Sequence, residues 1–543
     1  MTLRRSLPIM LLSLATTFVA HDASAAVTNE ERNLTELRNT VVNLLQALVE
    51  RGVLTRDQAE SMVRDAQDKA AAEAELLAQQ EKAEAGAVRV PYVPEIVKEE
   101  IRKQVTAELA PQVAREVVEQ AQSEEWGVPG ALPDWIKRVR WSGDMRVRGQ
   151  GDQFAEDNAA NTYLNVMAVN DGGGIGKAGP AAFANTTEDR QRMRARLRLG
   201  LEAELGWGWV MGGRMTTGNL RDPVSTNQSL GNTGARYQTG FDLAYVKWYG
   251  NSRTGRHVLN AWAGRIANPW LSSDLVWDSD LTFEGVAANY RFGLSRDDPY
   301  SRYAFATVGA FPLQEVELSS HDKWLYGTQL GFDWKLAGGS RVRFGTAYYD
   351  YKNIVGQRNT LDSNLLDYTA PQFVQRGNTL FDIRNSADRN ANLLALAADY
   401  SLVNATLTFD WKLSPSYRLA LLADYVQNVG YDEDEVRART SPVLQTRNKG
   451  YQTELNFGAS SMALAGAWRA SVGYRYIERD AVLDAFTDSD FHLGGTDAKG
   501  FFIGGDYAIT PRVSARLRYL SANEIDGPPL GIDVFQLDLN AQF

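Results

Sequence analysis

Cysteine is absent from the 543-residue chain. Disulfides, thiolate metal sites and cysteine nucleophiles are therefore excluded. Histidine is scarce, and no serine in the sequence pattern pairs with the isolated residues His257, His321 and His492. Because nucleophilic catalysis needs a placed base, the sequence predicts that the protein is not an enzyme. No motif indicates a cofactor or a metal site.

An excess of positive charge is also missing, since the formal net charge is −10. A nucleic-acid partner requires a basic surface, so this class is disfavoured. The glycine-rich stretch "GGGIG" at 172–176 lacks the strand and helix that a phosphate-binding loop needs.

The sequence has no hydrophobic run long enough for a membrane-spanning helix, which needs roughly 20 residues. The longest apolar run, Leu7–Ala20, has 14 residues. Two arginines precede this run, and Ala23-Ser24-Ala25 follows it. This arrangement is typical of a secretory signal peptide, so we predict that residues 1–25 are removed from an exported protein.

Residues 26–125 show a helical period and predict an α-helical, coiled-coil periplasmic region. The apolar side chains alternate steps of three and four, as in a coiled-coil seam, at Leu34, Leu37, Val41, Leu44 and Leu48. Two interpretations stay open, a periplasmic spacer and an oligomerisation stalk. Proline and glycine in residues 126–137 then predict a linker.

From residue 138 onward the hydrophobic period is two. The stretch "RQRMRARLRLGLEAEL", residues 190–205, alternates charged with apolar side chains, and similar runs recur to the C-terminus. Each run has the length of a tilted membrane strand, and the connectors between runs alternate between short and long. We therefore predict that residues 138–543 form an all-β, antiparallel transmembrane barrel of about 16 strands, counting 392–413 as one strand.

Arginines occupy one face of several predicted strands. A lipid-facing arginine would cost roughly 2–4 kcal/mol at the membrane midplane, so these side chains should face the lumen. The predicted pore-lining set is Arg146, Arg148, Arg190, Arg192, Arg194, Arg196, Arg198, Arg341, Arg343, Arg516 and Arg518.

Such an arginine-rich lining would favour anions. The alternative is that the arginines pair with lumen acids, which leaves a transverse field and little net selectivity. The candidate acids are Asp144, Glu202, Glu204, Asp410 and Asp424.

The long connectors suggest further features. Residues 351–390 are expected to fold inward, whereas 150–189 are expected to be flexible and exposed. The acidic segments 431–436 and 486–491 place carboxylates at the outer rim in this interpretation. There they either share divalent cations with lipopolysaccharide or are solvated loop acids.

The chain ends on an alternating strand, "FQLDLNAQF". Its terminal aromatic residue, Phe543, resembles the signal by which the barrel assembly machinery recognises bacterial outer-membrane proteins.

Several stretches together resemble the putative porin family of Gram-negative bacteria. They are "LPDWIKRVRWSGDMRVRG", "LAYVKW", "WAGRIANPW" and the terminal "NAQF", alongside the export signal and the helical region. The resemblance implies an outer-membrane β-barrel, surrounded by lipid and lipopolysaccharide, that conducts small solutes passively. It transfers no catalytic residues.

Two functions therefore stay open. One is a diffusion porin, and the other is a structural or adhesive outer-membrane protein with a plugged barrel and helices that anchor it to the cell envelope. A homotrimer and a monomer are both compatible with the sequence.

Overall fold

The computed structural model describes residues 138–317, 319–388, 390–440 and 444–543, together with Asp57, Ser61, Arg64 and Lys69. These four single residues are helical and exposed. The chain divides into two units, Met1–Glu116 and Val117–Phe543. The predicted signal peptide, coiled-coil seam and linker lie outside the described residues and stay predictions. Among the described residues, no helix is long and apolar enough to cross a membrane.

The described part of the second unit is built mainly from strands. In chain order they are β1 (Val139–Phe154), β2 (Arg190–Gly206), β3 (Trp209–Thr217), β4 (Gln228–Ser229), β5 (Thr239–Asn251), β6 (His257–Ala267), β7 (Thr282–Gly293), β8 (Arg302–Gln314), β9 (Lys323–Lys335), β10 (Arg341–Lys352), β11 (Leu380–Asp382), β12 (Leu394–Leu396), β13 (Ser401–Lys412), β14 (Tyr417–Asn428), β15 (Lys449–Ala459), β16 (Trp468–Ile477), β17 (Ala498–Thr510), β18 (Val513–Glu524) and β19 (Gly531–Gln542).

Sixteen of these strands, within residues 138–543, form one closed antiparallel barrel. The strands β4, β11 and β12 are short and do not belong to the ring. Each remaining strand pairs with its two neighbours, and β1 pairs with both β2 and β19, which closes the ring. Closure leaves no strand edge, so the backbone donors and acceptors within the wall find partners. The predicted strand count and antiparallel arrangement are confirmed.

The last residue takes part in this closure. The Phe543 amide donates to the Gly143 carbonyl at 3.0 Å, and the Gly143 amide donates to the Phe543 carbonyl at 3.3 Å. A Cβ atom on Gly143 would lie 2.5 Å from the Phe543 ring. The glycine therefore provides the space in which the terminal ring covers the first strand.

Side chains alternate across the wall as the sequence predicts. On β2, Met193, Leu197 and Leu199 are exposed on the outside, while the arginines between them are buried or half-buried. Exposed aromatic side chains gather near the strand ends, as membrane interfaces favour. At the end with the short turns they include Trp141, Trp209, Trp334, Trp411 and Trp468, and toward the other end Tyr326, Tyr348, Tyr425, Tyr451 and Phe535.

The two ends of the barrel differ in their connections, as predicted. At the short-turn end, residues 207–208, 413–416 and 511–512 join neighbouring strands directly. At the long-loop end, the connections include 155–189, 218–238, 268–281, 353–400, 429–448 and 478–497. The described parts of these loops contain three helices: α1 (Val166–Gly172), α2 (Ile175–Ala178) and α3 (Glu433–Arg439). Short 3-10 segments also occur at Gly179–Ala182, Ala337–Gly339, Asp367–Thr369, Asp484–Phe486 and Phe491–Leu493.

Three of the long loops enter the barrel and form an apolar core there. Segments 268–281, 353–400 and 478–497 bury their side chains against inward-facing residues at the long-loop end of the strands. Trp277 lies at the centre, 5.0 Å from the Phe283 ring and 5.1 Å from the Tyr349 ring. The expectation that 351–390 fold inward is confirmed by buried residues such as Ile383.

Two sequence expectations about this end are wrong. Residues 392–413 are not one strand, because β12 belongs to a short hairpin with β11 and the barrel strand β13 starts at Ser401. The apolar run between β12 and β13 enters the inner core. Loop 150–189 is not simply exposed, because Val169 and Ala182 are completely buried and Asn170 bonds to the backbone of Leu394.

We expect Trp277→Ala to lower the free energy of unfolding by about 3–5 kcal/mol, because the substitution empties the centre of the inner core. Urea unfolding in detergent micelles, followed by circular dichroism, measures this change. Trp207→Ala is the matched control, since that side chain is 97% exposed in a short turn. Equal effects of the two substitutions would contradict the inner core as a stabilising element.

Candidate functional site

The inner face of β1 and β2 carries a dense group of arginines. In the register of these strands, Arg146 lies opposite Arg196, and Arg148 lies opposite Arg194. Like charges directly opposite each other on neighbouring strands are destabilising, so this face needs partners from elsewhere. We call this group the arginine wall, formed by Arg146, Arg148, Arg192, Arg194, Arg196 and Arg198.

Part of the compensation comes from the loop 268–281. Asp280 accepts hydrogen bonds from Arg196 at 3.1 Å and from Arg198 at 3.2 Å. Asp144, on β1, accepts from the same two guanidinium groups at 2.8 and 2.7 Å. This arrangement neutralises one end of the wall and joins the inner loop to the barrel. Asp152 similarly accepts from Arg192 at 2.6 Å.

Arg148 is the most deeply buried member of the wall, with 2% of its side chain exposed. It donates two hydrogen bonds to the Asp538 carboxylate, at 2.7 and 2.9 Å, and a third to Asp490 at 2.7 Å. Arg518 also donates to Asp490, at 3.3 Å. Burial alone would raise the pKa of Asp490, but the two guanidinium groups hold that pKa below its ordinary value.

The position of Asp490 corrects a sequence expectation. The segment 486–491 does not place its carboxylates at the outer rim, because loop 478–497 folds into the barrel. Asp488 pairs there with Arg475 at 3.1 Å, and both side chains are buried. The arginines on the strands provide the charge that this acidic segment needs once it leaves water.

Two members of the wall have no carboxylate partner among the described residues. Arg146 donates to the Asn227 amide oxygen at 2.6 Å. Arg194 donates weakly to Gln150 at 3.4 Å and to the Ser225 hydroxyl at 3.2 Å. Within the described part of the chain, these two guanidinium groups therefore keep a charge that ion pairs do not offset.

The other predicted arginines do not join the wall. Arg190 is exposed where β2 begins. On β10, at the short-turn end, Arg341 pairs with Asp333 and Arg343 bonds to the Thr408 hydroxyl at 3.1 Å. Arg516 pairs with Asp506 at 2.5 Å, and both residues line the same cavity as Arg146 and Arg148. The structure therefore divides the predicted set into the wall, the nearby residues Arg516 and Arg518, and arginines that lie elsewhere.

The acids that were predicted to pair with the arginines lie at different places in the barrel. Asp144 belongs to the wall, whereas Glu204 pairs with Arg140 and Asp410 with Arg418 near the short-turn end. Glu202 accepts from the Tyr245 hydroxyl. Asp424 has no arginine partner among the described residues, and instead accepts from Ser273 and Asn404, both at 2.6 Å.

A polar cavity of about 240 Å³ lies between the wall and the inner loops. Its lining includes the cationic residues Arg146, Arg148 and Arg518 and the acidic residues Asp274 and Asp278. Burial raises the pKa of Asp274 to about 7, and nearby Asp488 adds to this increase. Burial also raises the pKa of Asp278, with Asp488 again contributing.

Sequence analysis did not identify the acids of loop 268–281. A signal was present, because "NPWLSSDLVWDSDL" combines two tryptophans and three aspartates in one connector. Exposed loops rarely need large aromatic side chains, so this composition indicates a buried loop whose carboxylates require partners.

The outer acidic segment 431–436 forms no cation site. It contributes to α3, in which Glu433 and Glu435 pair with Arg437 and Arg439 one turn later. Among the described residues, no group of three or more His, Asp or Glu side chains could hold a metal ion.

We expect Asp490→Asn to lower the free energy of unfolding by about 3–5 kcal/mol at neutral pH, because it leaves a buried guanidinium group with an incomplete set of partners. Chemical denaturation measures the change. The control is Asp434→Asn, which removes the 93%-exposed partner of Arg437 and should cost less than about 1 kcal/mol.

The pH dependence of this effect has a definite sign. A carboxyl group whose folded pKa is lowered stabilises the fold above its ordinary pKa, and this contribution is lost as the pH falls through the folded pKa. The difference between the native protein and Asp490→Asn should therefore shrink only in acid. An undiminished difference at low pH would contradict the assigned ion pairs.

Several solved structures are similar to this one at low sequence identity. The structure is similar to the high-pH structure of OprB from Pseudomonas putida, at 13% identity and a TM-score of 0.42, covering 77% of this chain and 97% of that one. It is also similar to the outer-membrane channel DcaP of Acinetobacter baumannii, at 12% identity and a TM-score of 0.38, covering 75% and 97%. OmpF of Salmonella typhi, in complex with daunomycin, matches at 11% identity and a TM-score of 0.38, with the same coverage.

None of the curated proteins matches the sequence. The family model described as "Putative porin", however, matches residues 38–543, which is most of the chain. The protein therefore belongs to the putative porin family and forms an outer-membrane porin channel.

Proposed function

We propose that the protein is a diffusion porin through which small hydrophilic solutes and ions pass along the arginine wall, with a weak preference for anions. The observation that carries this proposal is the polar cavity between the wall and the inner loops. Guanidinium groups and carboxylates both line this cavity, so a polar solute that crosses it replaces hydrogen bonds to water with hydrogen bonds to the protein.

The anion preference rests on Arg146, which lines the polar cavity. In the described part of the chain this side chain bonds to the neutral Asn227 amide and to no carboxylate, so its charge is available to a passing anion. A guanidinium group can bind a carboxylate or phosphate through two parallel hydrogen bonds. The preference is weak because most other members of the wall are compensated by aspartates.

Conductance of the full chain in a planar bilayer, under a salt gradient, tests the proposal. We expect discrete steps and a reversal potential of anion-selective sign. Arg146→Gln should move that potential toward cation selectivity, because loss of one charge in the cavity lining removes about 1 kcal/mol at low salt, or roughly fivefold in the permeability ratio. Arg437→Gln, on the exposed helix α3, is the charge-matched control.

Three outcomes of this experiment are informative. A reversal potential that Arg146→Gln leaves unchanged would refute the role of the wall. A control that shifts the potential as much as Arg146→Gln does would indicate a general effect of net charge. Silence from correctly folded protein would favour the second candidate function below.

Selectivity should also depend on pH through Asp274. The pKa of this carboxyl group is raised to about 7, so it is neutral in mild acid and becomes ionised as the pH rises through 7. Anion preference should therefore fall between about pH 5.5 and 8.5. Asp274→Asn should weaken this dependence, whereas Asp434→Asn should retain it. A pH dependence that survives in Asp274→Asn would assign it to another group.

A second candidate function is a structural or adhesive role with a plugged barrel. The apolar core around Trp277 favours it, because this core fills part of the interior at the long-loop end. Conductance discriminates between the two candidates, since a plugged barrel produces no steps.

The periplasmic location of the N-terminal region is also part of this proposal. Strand β1 begins at the short-turn end, and β19 ends there as well. Short turns face the periplasm in outer-membrane barrels, so residues 26–125 would emerge into that compartment. The proposal also includes three partners of the barrel. Lipid and lipopolysaccharide surround its outer surface, the barrel assembly machinery recognises Phe543, and the barrels assemble into trimers.

A further inference from the structure

A second, larger cavity lies at the long-loop end and is separate in its lining from the polar one beside the arginine wall. Its volume is about 750 Å³, which is in the range of sites that bind small molecules. Strands β6, β8 and β9, helix α1 and the inner loops surround it. Much of its lining is apolar and includes Leu313, Ile354, Phe373, Leu396 and Phe486.

Lys323, the first residue of β9, lies in this lining and is only 3% exposed. Its ammonium group donates to the carbonyl oxygens of Thr369 and Ala370, at 3.2 and 2.9 Å. An ammonium group has three donors, so one remains. Among the described residues no carboxylate pairs with it, and buried lysines are rare without such a partner.

The other charged groups of the cavity are already engaged. Arg221 pairs with Asp171 at 2.8 Å, and Arg265 pairs with Glu284 at 2.8 Å. Asp367 accepts hydrogen bonds from Arg384 and Asn359. Within the described part of the cavity, Lys323 is thus the cation that an incoming anion can neutralise without breaking an ion pair.

We propose that this cavity binds a small organic anion that carries one carboxylate on an apolar body. The carboxylate accepts a hydrogen bond from the Lys323 ammonium group. The apolar body packs against Leu313, Phe373 and Phe486. A chloride ion would leave this apolar surface unused, and a sugar would leave its hydroxyl groups without partners there.

The inference rests on the proposed function in one respect, because the ligand reaches the cavity from the long-loop end of a porin. Binding is therefore measured separately from passage. Calorimetric titration of the full-length protein in detergent micelles, with benzoate as the probe, detects binding without any conductance. A barrel that binds benzoate but carries no current would refute the porin and leave the site intact.

Lys323→Gln is the first variant, because an amide group keeps two hydrogen-bond donors for the two carbonyl oxygens but carries no charge. We expect benzoate affinity to fall by about tenfold or more, in keeping with the loss of a charge-assisted hydrogen bond. Benzamide, the neutral relative of benzoate, should bind the native protein more weakly and should not respond to the substitution. Lys335→Gln, at the exposed short-turn end of the same strand, is the matched control.

Gln314→Glu is the second variant and tests the site by a different route. Gln314 lies directly across from Lys323 in the register of β8 and β9 and also lines the cavity. A carboxylate at this position provides the partner that the ammonium group lacks. The nearly isosteric change should preserve the fold and should abolish benzoate binding by competing for Lys323.

The outcomes are distinct. Loss of affinity in both variants, with native affinity in Lys335→Gln, supports the site. Native affinity for benzoate in Lys323→Gln or in Gln314→Glu would overturn it, and so would benzamide binding as tightly as benzoate. Should Lys323→Gln fail to fold, the result for Gln314→Glu decides.

Discussion

Charge neutralisation inside the barrel is the constraint on which the rest of the structure depends. The outer wall requires apolar side chains at every second position, so charged residues on the strands must face inward. On β1 and β2 this places arginine opposite arginine. The carboxylates that compensate them arrive largely from other parts of the chain, above all Asp280, Asp490 and Asp538. The loops that deliver the first two therefore have to enter the barrel.

Entry of the loops sets a second requirement. A segment that brings a carboxylate to the wall also brings its backbone and neighbouring side chains out of water. The aromatic residues of 268–281 and the apolar runs of 353–400 and 478–497 meet this requirement by packing on one another, with Trp277 at the centre. The polar cavity and the stability of the barrel interior consequently depend on the same loops, because loops 268–281 and 478–497 contribute to both the cavity lining and the inner core.

The period of two, the length of the runs and the alternating connector lengths were sufficient to predict a barrel of about sixteen strands. They were also sufficient to predict which face of β2 is apolar. The ion pairs inside the barrel could not be predicted from the sequence. Arg148 and Asp490, for example, are 342 residues apart, and no local pattern encodes their contact. The acidic segment 486–491 has the composition of a solvated loop, and only its distant arginine partners make burial favourable. The apolar residues after β12 likewise have the sequence pattern of a lipid-facing strand, although they lie in the inner core.

These long-range pairs make the first strands of the barrel depend on the last part of the chain. The arginine wall belongs to the first two strands, yet one of its carboxylates lies in the last strand and another in the loop that precedes β17. Until the C-terminal strands exist, the wall has no complete set of counter-charges and β1 has no partner on one side. A chain stopped early would thus leave an open edge and an unbalanced cationic face together. The loop before β17 and strand β19 provide both the missing carboxylates and the missing partner of β1. The N-terminal half of the barrel therefore cannot form its native contacts alone.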